Sequence, residues 1–521
     1  MRHIFTSTLF LLGFLIATSL PAFSQQDPVV QKIIELGKSD NQTMHHLDVL
    51  VNRIGGRPIG SDNYNTAVKW AQKEFEEWGM DVVLHQTDVL PIGFNRGPWF
   101  GRLLSGETGI TTLDFATPSY TVGTKGVQRG HVLSEPKTKR EFDQMKSKLK
   151  GAWVLISDKS TGFPIDFSSK ADALRDSIIL FNTQIADKNR EINTYNADPK
   201  NKDKRRTIIE KKDEPALFYK QMVEAGILGI IQSSPLPITS LYDRKNLYDL
   251  NWDNLPKVPD IKLNEHQFAQ IEQMAKERQY FQLEFEIRNH FRLGPIPYHT
   301  VIGVIRGSEF PDEYVVMGGH IDSYDVSTGA SDNGSGVAAA MEAARLIVKA
   351  GGKPKRSILV ALWSGEEFGL LGSSAWVNDN KDKLKNISAM FNRDGGPTVP
   401  TSLAVPPAMM SDLERICAPI SAINPEFPFS VNSLSPRTKP VVAGGTDTAP
   451  FLMAGVPVID LRTEDVKGYN FSYREIWHTT RDTYDKCPPD YMNHASIVTA
   501  VVVYGIANLD YLLPRDGYFK E

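Results

Sequence analysis

His320, Asp322, Asp332, Glu366, Glu367, Asp394 and His478 are the side chains of this sequence best suited by type and spacing to chemistry. His320 and Asp322 follow the apolar run Tyr314–Met317, and Asp332 stands just before the glycine-rich turn Asn333–Gly336. Glu366 and Glu367 follow Ile358–Trp363, Asp394 follows Ala389–Phe391, and His478 lies within Trp477–Thr483. Taken singly these are ordinary residues: a strand-end Asp is usually a turn former, and a Glu pair usually a solvated charge. Gathered at one edge they differ, because carboxylates held together repel one another unless cations sit among them. Mixed imidazole and carboxylate donors suit zinc, with cobalt or manganese as substitutes. Two such ions, roughly 3.5–4 Å apart, can share a hydroxide, since metal binding lowers the pKa of water towards ~7. A neighbouring carboxylate that takes the proton of the attacking water and hands it to a leaving amine adds about 10²–10⁴ in rate.

The elements that must present these groups alternate along the chain. From Val29 to Gln86 the pattern is helical around a loop at Gly55–Ser61, with a strand beginning at Val82–Leu84. Ala152–Ile156 and Gly226–Ile231 read as buried strands, and the charged stretch 168–222 between them as a helical excursion or hairpin with a solvated face. From Tyr298 onward the rhythm tightens. Tyr314–Met317, Ser357–Trp363, Ile387–Phe391 and Pro457–Leu461 read as strands, Gly336–Lys349 as a helix and Val498–Leu513 as a closing helix. This predicts an α/β three-layer sandwich with a mostly parallel mixed central sheet, whose ligand site lies outside the carboxyl ends of the strands. The expected division is a leader over 1–24, a first catalytic segment over 25–114, a smaller α+β insertion over 115–285, and a second catalytic segment over 286–521 carrying the metal site.

Five segments carry a resemblance: His320–Asp322, Gly329–Gly336, Trp363–Ser373, Asn392–Asp394 and His478–Thr483. Together, and in this order, they resemble the motifs of the co-catalytic zinc aminopeptidases, a group that includes the bacterial leucyl aminopeptidases and carboxypeptidase Q. The likeness is loose over 45–90 and close over 298–510, and Leu149–Ile156 with Ala225–Ile231 resemble a protease-associated domain within the insertion. The resemblance implies that Asp332 bridges two zinc ions and that its bond to Asn333 is cis. It implies that His320 and Asp394 complete one ion and Glu367 and His478 the other. Glu366 would be the general base, and Asp322 would orient His320. One departure stands out: the loop Ala443–Pro450 lacks the tyrosine that many of these enzymes use at the oxyanion, leaving Thr446, a backbone N–H or Tyr473 as candidates. The implied activity is a di-zinc exopeptidase on short peptides. Alternatives are a carboxypeptidase Q-like carboxypeptidase or dipeptidase, a one-zinc glutaminyl cyclase, and a receptor-like homologue without catalysis. Recognition of the amino end is the favoured expectation, because the acids are better represented than the cations Arg393, Arg437, Arg474 and Arg481.

Composition bounds the rest. The chain has 521 residues, 41% of them hydrophobic and 23% charged, with a formal net charge of -4, so nothing basic marks a nucleic-acid partner. Met1–His3, the apolar run Ile4–Leu20 and the small residues around Pro21–Ser24 follow the plan of a secretory signal cleaved after Ser24. No later stretch approaches spanning length. The expected product is an exported, periplasmic or secreted enzyme that takes short peptides, spans no membrane once cleaved, and is open to homodimer formation. Cys417 and Cys487 could pair or stay as buried thiols. Asn41, Asn333, Asn386 and Asn470 match the glycosylation pattern, although a glycan on Asn333 would fill the metal cleft.

Overall fold

The computed structural model describes residues 27–107, 109–242, 247–470 and 472–520. The leader expected over 1–24 lies outside them. The central sheet has five strands: β1 (Asp81–Asn95), β2 (His290–Ile305), β3 (Phe310–His320), β4 (Arg356–Trp363) and β5 (Ile387–Asn392). Their order is β1-β2-β4-β3-β5. The β1/β2 and β2/β4 pairs are antiparallel, whereas β4/β3 and β3/β5 are parallel. The run expected as a strand at Pro457–Leu461 contributes a single parallel bridge, Val458 to Met390, and Leu461–Glu464 then joins a separate three-stranded sheet.

Strand alternation builds the layers. Val315, Met317, Ile358, Val360 and Leu362 face one core, while Val316, Leu359, Ala361 and Trp363 face another. The first is covered by α1 (Pro28–Ser39), α2 (Thr43–Asp48), α3 (Asp62–Glu77), α4 (Ser335–Lys349) and α7 (Pro489–Ala507). The second is covered by Trp376 of α5 (Leu371–Asp379) and Phe451 of α6 (Thr448–Met453). With both faces covered, the parallel strands read as unbroken apolar runs. The α4 surface is rich in buried alanine, which lets the helix lie close to the sheet. Gly318, mid-sheet, has no room for more: a Cβ there would stand 1.8 Å from the Ala361 carbonyl oxygen. The closing helix starts at Pro489 and ends at Ala507, so it begins earlier and ends sooner than its apolar run suggests. Proline at its first positions fixes that start.

A second, eight-stranded sheet is built mostly from the segment expected as an insertion, with Gln128–Ser134, Ala152–Ile156, Gly229–Ser234 and Asp260–Asn264 parallel at its centre. It reaches outside the expected boundaries: Trp99–Ser105 and Gly109–Thr112 pair into it through Phe281–Ile287. The charged excursion is one helix, Ser169–Ala197, not a helical hairpin. Its return limb is extended chain held by a ladder of side-chain amides. Asn182, Asn189 and Asn196 each donate to a carbonyl and accept an N–H, at Lys212, Ile209 and Arg206 respectively. Seven helical residues rise about 10.5 Å, and three extended residues cover about 10 Å, so the two spacings stay in step.

Candidate metal centre

Because β3, β4 and β5 run parallel, the turns that follow them open on one edge of the sheet, and all seven expected residues meet there. His320 is the last residue of β3, and Asp322 lies two further on. Asp332 stands in the turn before α4, after Gly329, whose φ of 63° is the left-handed conformation glycine favours. Glu366 and Glu367 follow β4, Asp394 follows β5, and His478 lies between the one-turn helix Tyr473–Ile476 and α7. The Asp332–Asn333 peptide is cis, as the resemblance implies.

The two oxygens of Asp332 serve different neighbours. Oδ1 lies 3.2 Å from His320 Nε2, which is also 3.4 Å from Asp394 Oδ1. Oδ2 lies 3.1 Å from His478 Nε2, which is also 3.1 Å from Glu367 Oε2. Two three-residue groups able to hold an ion therefore share Asp332: His320–Asp332–Asp394 and Asp332–Glu367–His478. Neither His320 Nε2 nor Glu367 Oε1 makes a hydrogen bond, although both are buried. Lone pairs converging without sharing protons are the donor geometry of a cation site.

Asp322 stands against His320 twice over: its backbone carbonyl accepts from His320 Nδ1 at 3.0 Å, and its carboxylate Oδ1 lies 3.6 Å from the same nitrogen. The carboxylate receives the backbone N–H of Glu366 at 3.2 Å and that of Glu367 at 3.3 Å. One side chain thus fixes the peptide from which the two glutamates diverge.

Burial dominates the electrostatics. It pushes Glu366 up to about 10 and Glu367 up to about 7, with neighbouring carboxylates adding to the shift and the histidines opposing it. Burial opposes the charged form of His478 too, but Glu367 and Asp332 outweigh it and raise that imidazole to about 9. Burial opposes the charged form of Asp332, yet the His320 and His478 imidazoles against its two oxygens hold it well below the usual carboxylate range.

Three functional neighbours carry no obvious mark in the sequence. Asp482 accepts the backbone N–H groups of Ser331 and Asp332, the latter at 3.1 Å. Its place four residues after His478 was the only available signal. Arg57, fully buried, donates to carbonyls around the same turn from a loop that reads only as a connector. Asp447 is buried, accepts from Ser373 Oγ at 2.6 Å, and is pushed up to about 8 by burial.

A cleft of about 490 Å³ opens over the acids, lined by Asp332, Glu366, Glu367, Asp394, Thr446, Tyr473, Trp477 and His478 among others. Among the described residues no lysine or arginine lines it. Arg393 turns away, donating to the Gly396 and Thr398 carbonyls. Arg437 lies over Tyr518, Arg481 pairs with Glu475, and Arg474 is exposed. Residues 238–242 brace this edge. Tyr242 stacks on Phe368 at 3.7 Å, and the Ile238 carbonyl accepts the Thr480 N–H at 3.0 Å. Both buried cysteines are free thiols, and Asn333 Nδ2 donates to the Arg393 carbonyl from a buried position.

Residues 300–503, which carry both metal-capable groups, match the model of Peptidase family M28. This segment is a Peptidase family M28 domain. The M28 domain makes the chain a hydrolase of the metallopeptidase kind. Carboxypeptidase Q of Xenopus laevis is 25% identical over 512 residues, covering 94% of this chain and 92% of its own. That of Mus musculus is 26% identical over 503 residues, covering 94% and 91%. The fold is shared with a Peptidase M28 precursor from Shewanella amazonensis, at TM-score 0.56 and 20% identity, covering 93% of this chain and 97% of that one. It is also shared with BSAP, a zinc aminopeptidase from Bacillus subtilis, at TM-score 0.51 and 17% identity, covering 92% and 97%. Among the described residues no helix is long and apolar enough to cross a membrane.

Proposed function

We propose that this chain is an exported, two-zinc exopeptidase that removes residues from the amino end of short peptides. The observation that carries the reading is the division of Asp332, one oxygen to each of two histidine–carboxylate groups. That donor set fits the metal: buried imidazoles and carboxylates with unshared lone pairs suit zinc, and BSAP, which shares the fold, is a zinc aminopeptidase. His320 and Asp394 would hold one ion, Glu367 and His478 the other, with Asp332 between. Bound there, the metals would supply Lewis-acid polarisation of the scissile carbonyl and a lowered water pKa. Glu366, on the cleft wall and in neither group, would be held ionised by cations bound beside it, and so accept the proton of the attacking water and return it to the leaving amine. Thr446 and Tyr473 are the hydroxyls available at the oxyanion. Thr446 accepts an N–H from Asn392 at 2.9 Å, which leaves its own proton to donate. Two complete groups favour this reading over a one-zinc glutaminyl cyclase or a receptor that has lost its ligands.

The amino-end assignment rests on the character of the cleft. Its walls are acidic, which suits an α-ammonium beside the metal ligands, and among the described residues they carry no lysine or arginine for a terminal carboxylate. The second reading, a carboxypeptidase, is favoured by the full-length relatives named carboxypeptidase Q. Hydrolysis of Leu-Gly-Gly, its N-acetylated form and its C-terminal amide separates the two. Loss on acetylation with tolerance of the amide supports the amino end, and the opposite pattern establishes the carboxyl end.

A further inference from the structure

The two metal groups share Asp332, so the position of that one residue relative to His320 on one side and His478 on the other must be held to tenths of an ångström. Asp332 lies at the end of a turn, Ser327–Asp332, whose last residues enter a single π-type turn, Ala330–Gly334, that breaks from helical geometry at Asp332 itself before α4 begins. Two buried, oppositely charged side chains grip this turn from remote parts of the chain.

Arg57 comes from the loop before α3 and is fully buried. Its Nε donates to the carbonyl of Ile321, next to His320, at 2.5 Å. Its Nη1 and Nη2 donate to the carbonyls of Thr328 and Gly329 at 2.9 and 3.1 Å. Its backbone completes the hold: the Arg57 N–H donates to Ser323 Oγ at 3.2 Å, and its carbonyl accepts the Ser323 N–H at 3.3 Å. One residue thus ties the chain leaving His320 to the chain approaching Asp332. The planar guanidinium fork serves these carbonyls from three separate nitrogens, a spread that the single nitrogen of an ammonium lacks.

Asp482 grips the same turn from the other side and is 4% exposed. Its carboxylate takes the Ser331 and Asp332 N–H groups, and its backbone carbonyl takes the Thr328 N–H at 3.3 Å and Ser327 Oγ at 2.7 Å. Standing four residues after His478, it ties that ligand to Asp332. Carbonyls of the turn face the cation and N–H groups face the anion, so its peptide dipoles are fixed at both ends.

We propose that Arg57 and Asp482 are paired positioning residues, Arg57 setting the His320–Asp332 geometry of one metal site and Asp482 the Asp332–His478 geometry of the other. The assignment rests on the two-metal reading above, and it makes a selective claim that general destabilisation would not reproduce. Zinc affinity is measured on the full mature chain by competition with a chromogenic chelator, with thermal unfolding of the metal-free protein alongside. Arg57→Lys is read in an Asp394→Ala background, where only the Glu367–His478 group is complete, and in a Glu367→Ala background, where only the His320–Asp394 group is. Arg57→Lys is expected to weaken zinc about 10–100-fold in the Glu367→Ala background and to leave the Asp394→Ala background unchanged. Asp482→Asn is expected to show the reverse. Arg356→Lys is the control, because Arg356 is equally buried and also donates to carbonyls, of Ile506 and Leu509, but far from the cluster. It should lower the unfolding temperature without moving zinc affinity. If Arg57→Lys does not fold, Ser323→Ala removes the acceptor of the Arg57 N–H and is read in the same two backgrounds. Equal weakening of both sites by either variant, or losses that track unfolding temperature as in the control, overturn the pairing. An unsubstituted chain that binds no zinc overturns the two-metal reading itself.

Discussion

Glu366 and Glu367 are adjacent, yet replacing each with glutamine should do different things. The Glu366 and Glu367 N–H groups both rest on the Asp322 carboxylate, at 3.2 and 3.3 Å, and neither substitution touches those bonds. The backbone therefore stays in place, and only the side-chain chemistry changes. Glu367 Oε2 is 3.1 Å from His478 and belongs to a metal-capable group, so Glu367→Gln trades a charged donor for a neutral one. Glu366 belongs to neither group, so Glu366→Gln should leave metal content intact while removing the acceptor of the water proton. General-base assistance is worth about 10²–10⁴ in rate, or about 3–5 kcal/mol of barrier at 1.36 kcal/mol per tenfold. The assay is kcat on a peptide substrate with elemental analysis of the same samples. Glu366→Gln should lose at least about 10²-fold in kcat with its metals retained, and Glu367→Gln should lose metal first. Equal metal loss in both variants, or a Glu366→Gln enzyme of undiminished kcat, would refute the division of roles.

Other outcomes follow from the same geometry. Chelation should abolish hydrolysis and added zinc or cobalt should restore it, whereas full activity in protein shown to be metal-free by elemental analysis would contradict the mechanism. Asp322→Ala should cost about 10–100-fold in activity, through both glutamates as well as through His320, so the pH profile as well as kcat should move. His494 is 3% exposed and held down at about 4, chiefly by burial and secondarily by Arg393, against an ordinary 6.5. Its folded form binds its proton later than the unfolded chain, so stability is complete above pH 6.5 and falls by up to about 3 kcal/mol as pH drops to 4. Denaturant titrations of His494→Gln should show a shallower acid slope, and an unchanged slope would rule this source out. Gly318→Ala places a Cβ against the Ala361 backbone in mid-sheet and should destabilise by about 3 kcal/mol or more, read from the unfolding midpoint.

Much of the centre was legible because it follows a local rule. A ligand at the end of a buried strand is marked by the apolar run before it, so Tyr314–Met317 announced His320 and Ile358–Trp363 announced the glutamates. Parallel strands then guarantee that such ends share an edge, and Asp332, Asp394 and His478 fell into place with them. The sequence by itself thus determined the α/β class and the residues of the metal-capable set. Tertiary structure decided what depends on partners distant in sequence. Asp322 proved to hold two backbone N–H groups 44 and 45 residues away, a bond that no local pattern encodes. Arg57 and Asp482 find their carbonyls and N–H groups only once the Ser327–Asp332 turn is folded between them. The return limb after Ser169–Ala197 is extended rather than helical because three asparagines one heptad apart captured it. Helical periodicity reports which face of a segment is buried; it does not report a hydrogen-bond partner that competes for the backbone.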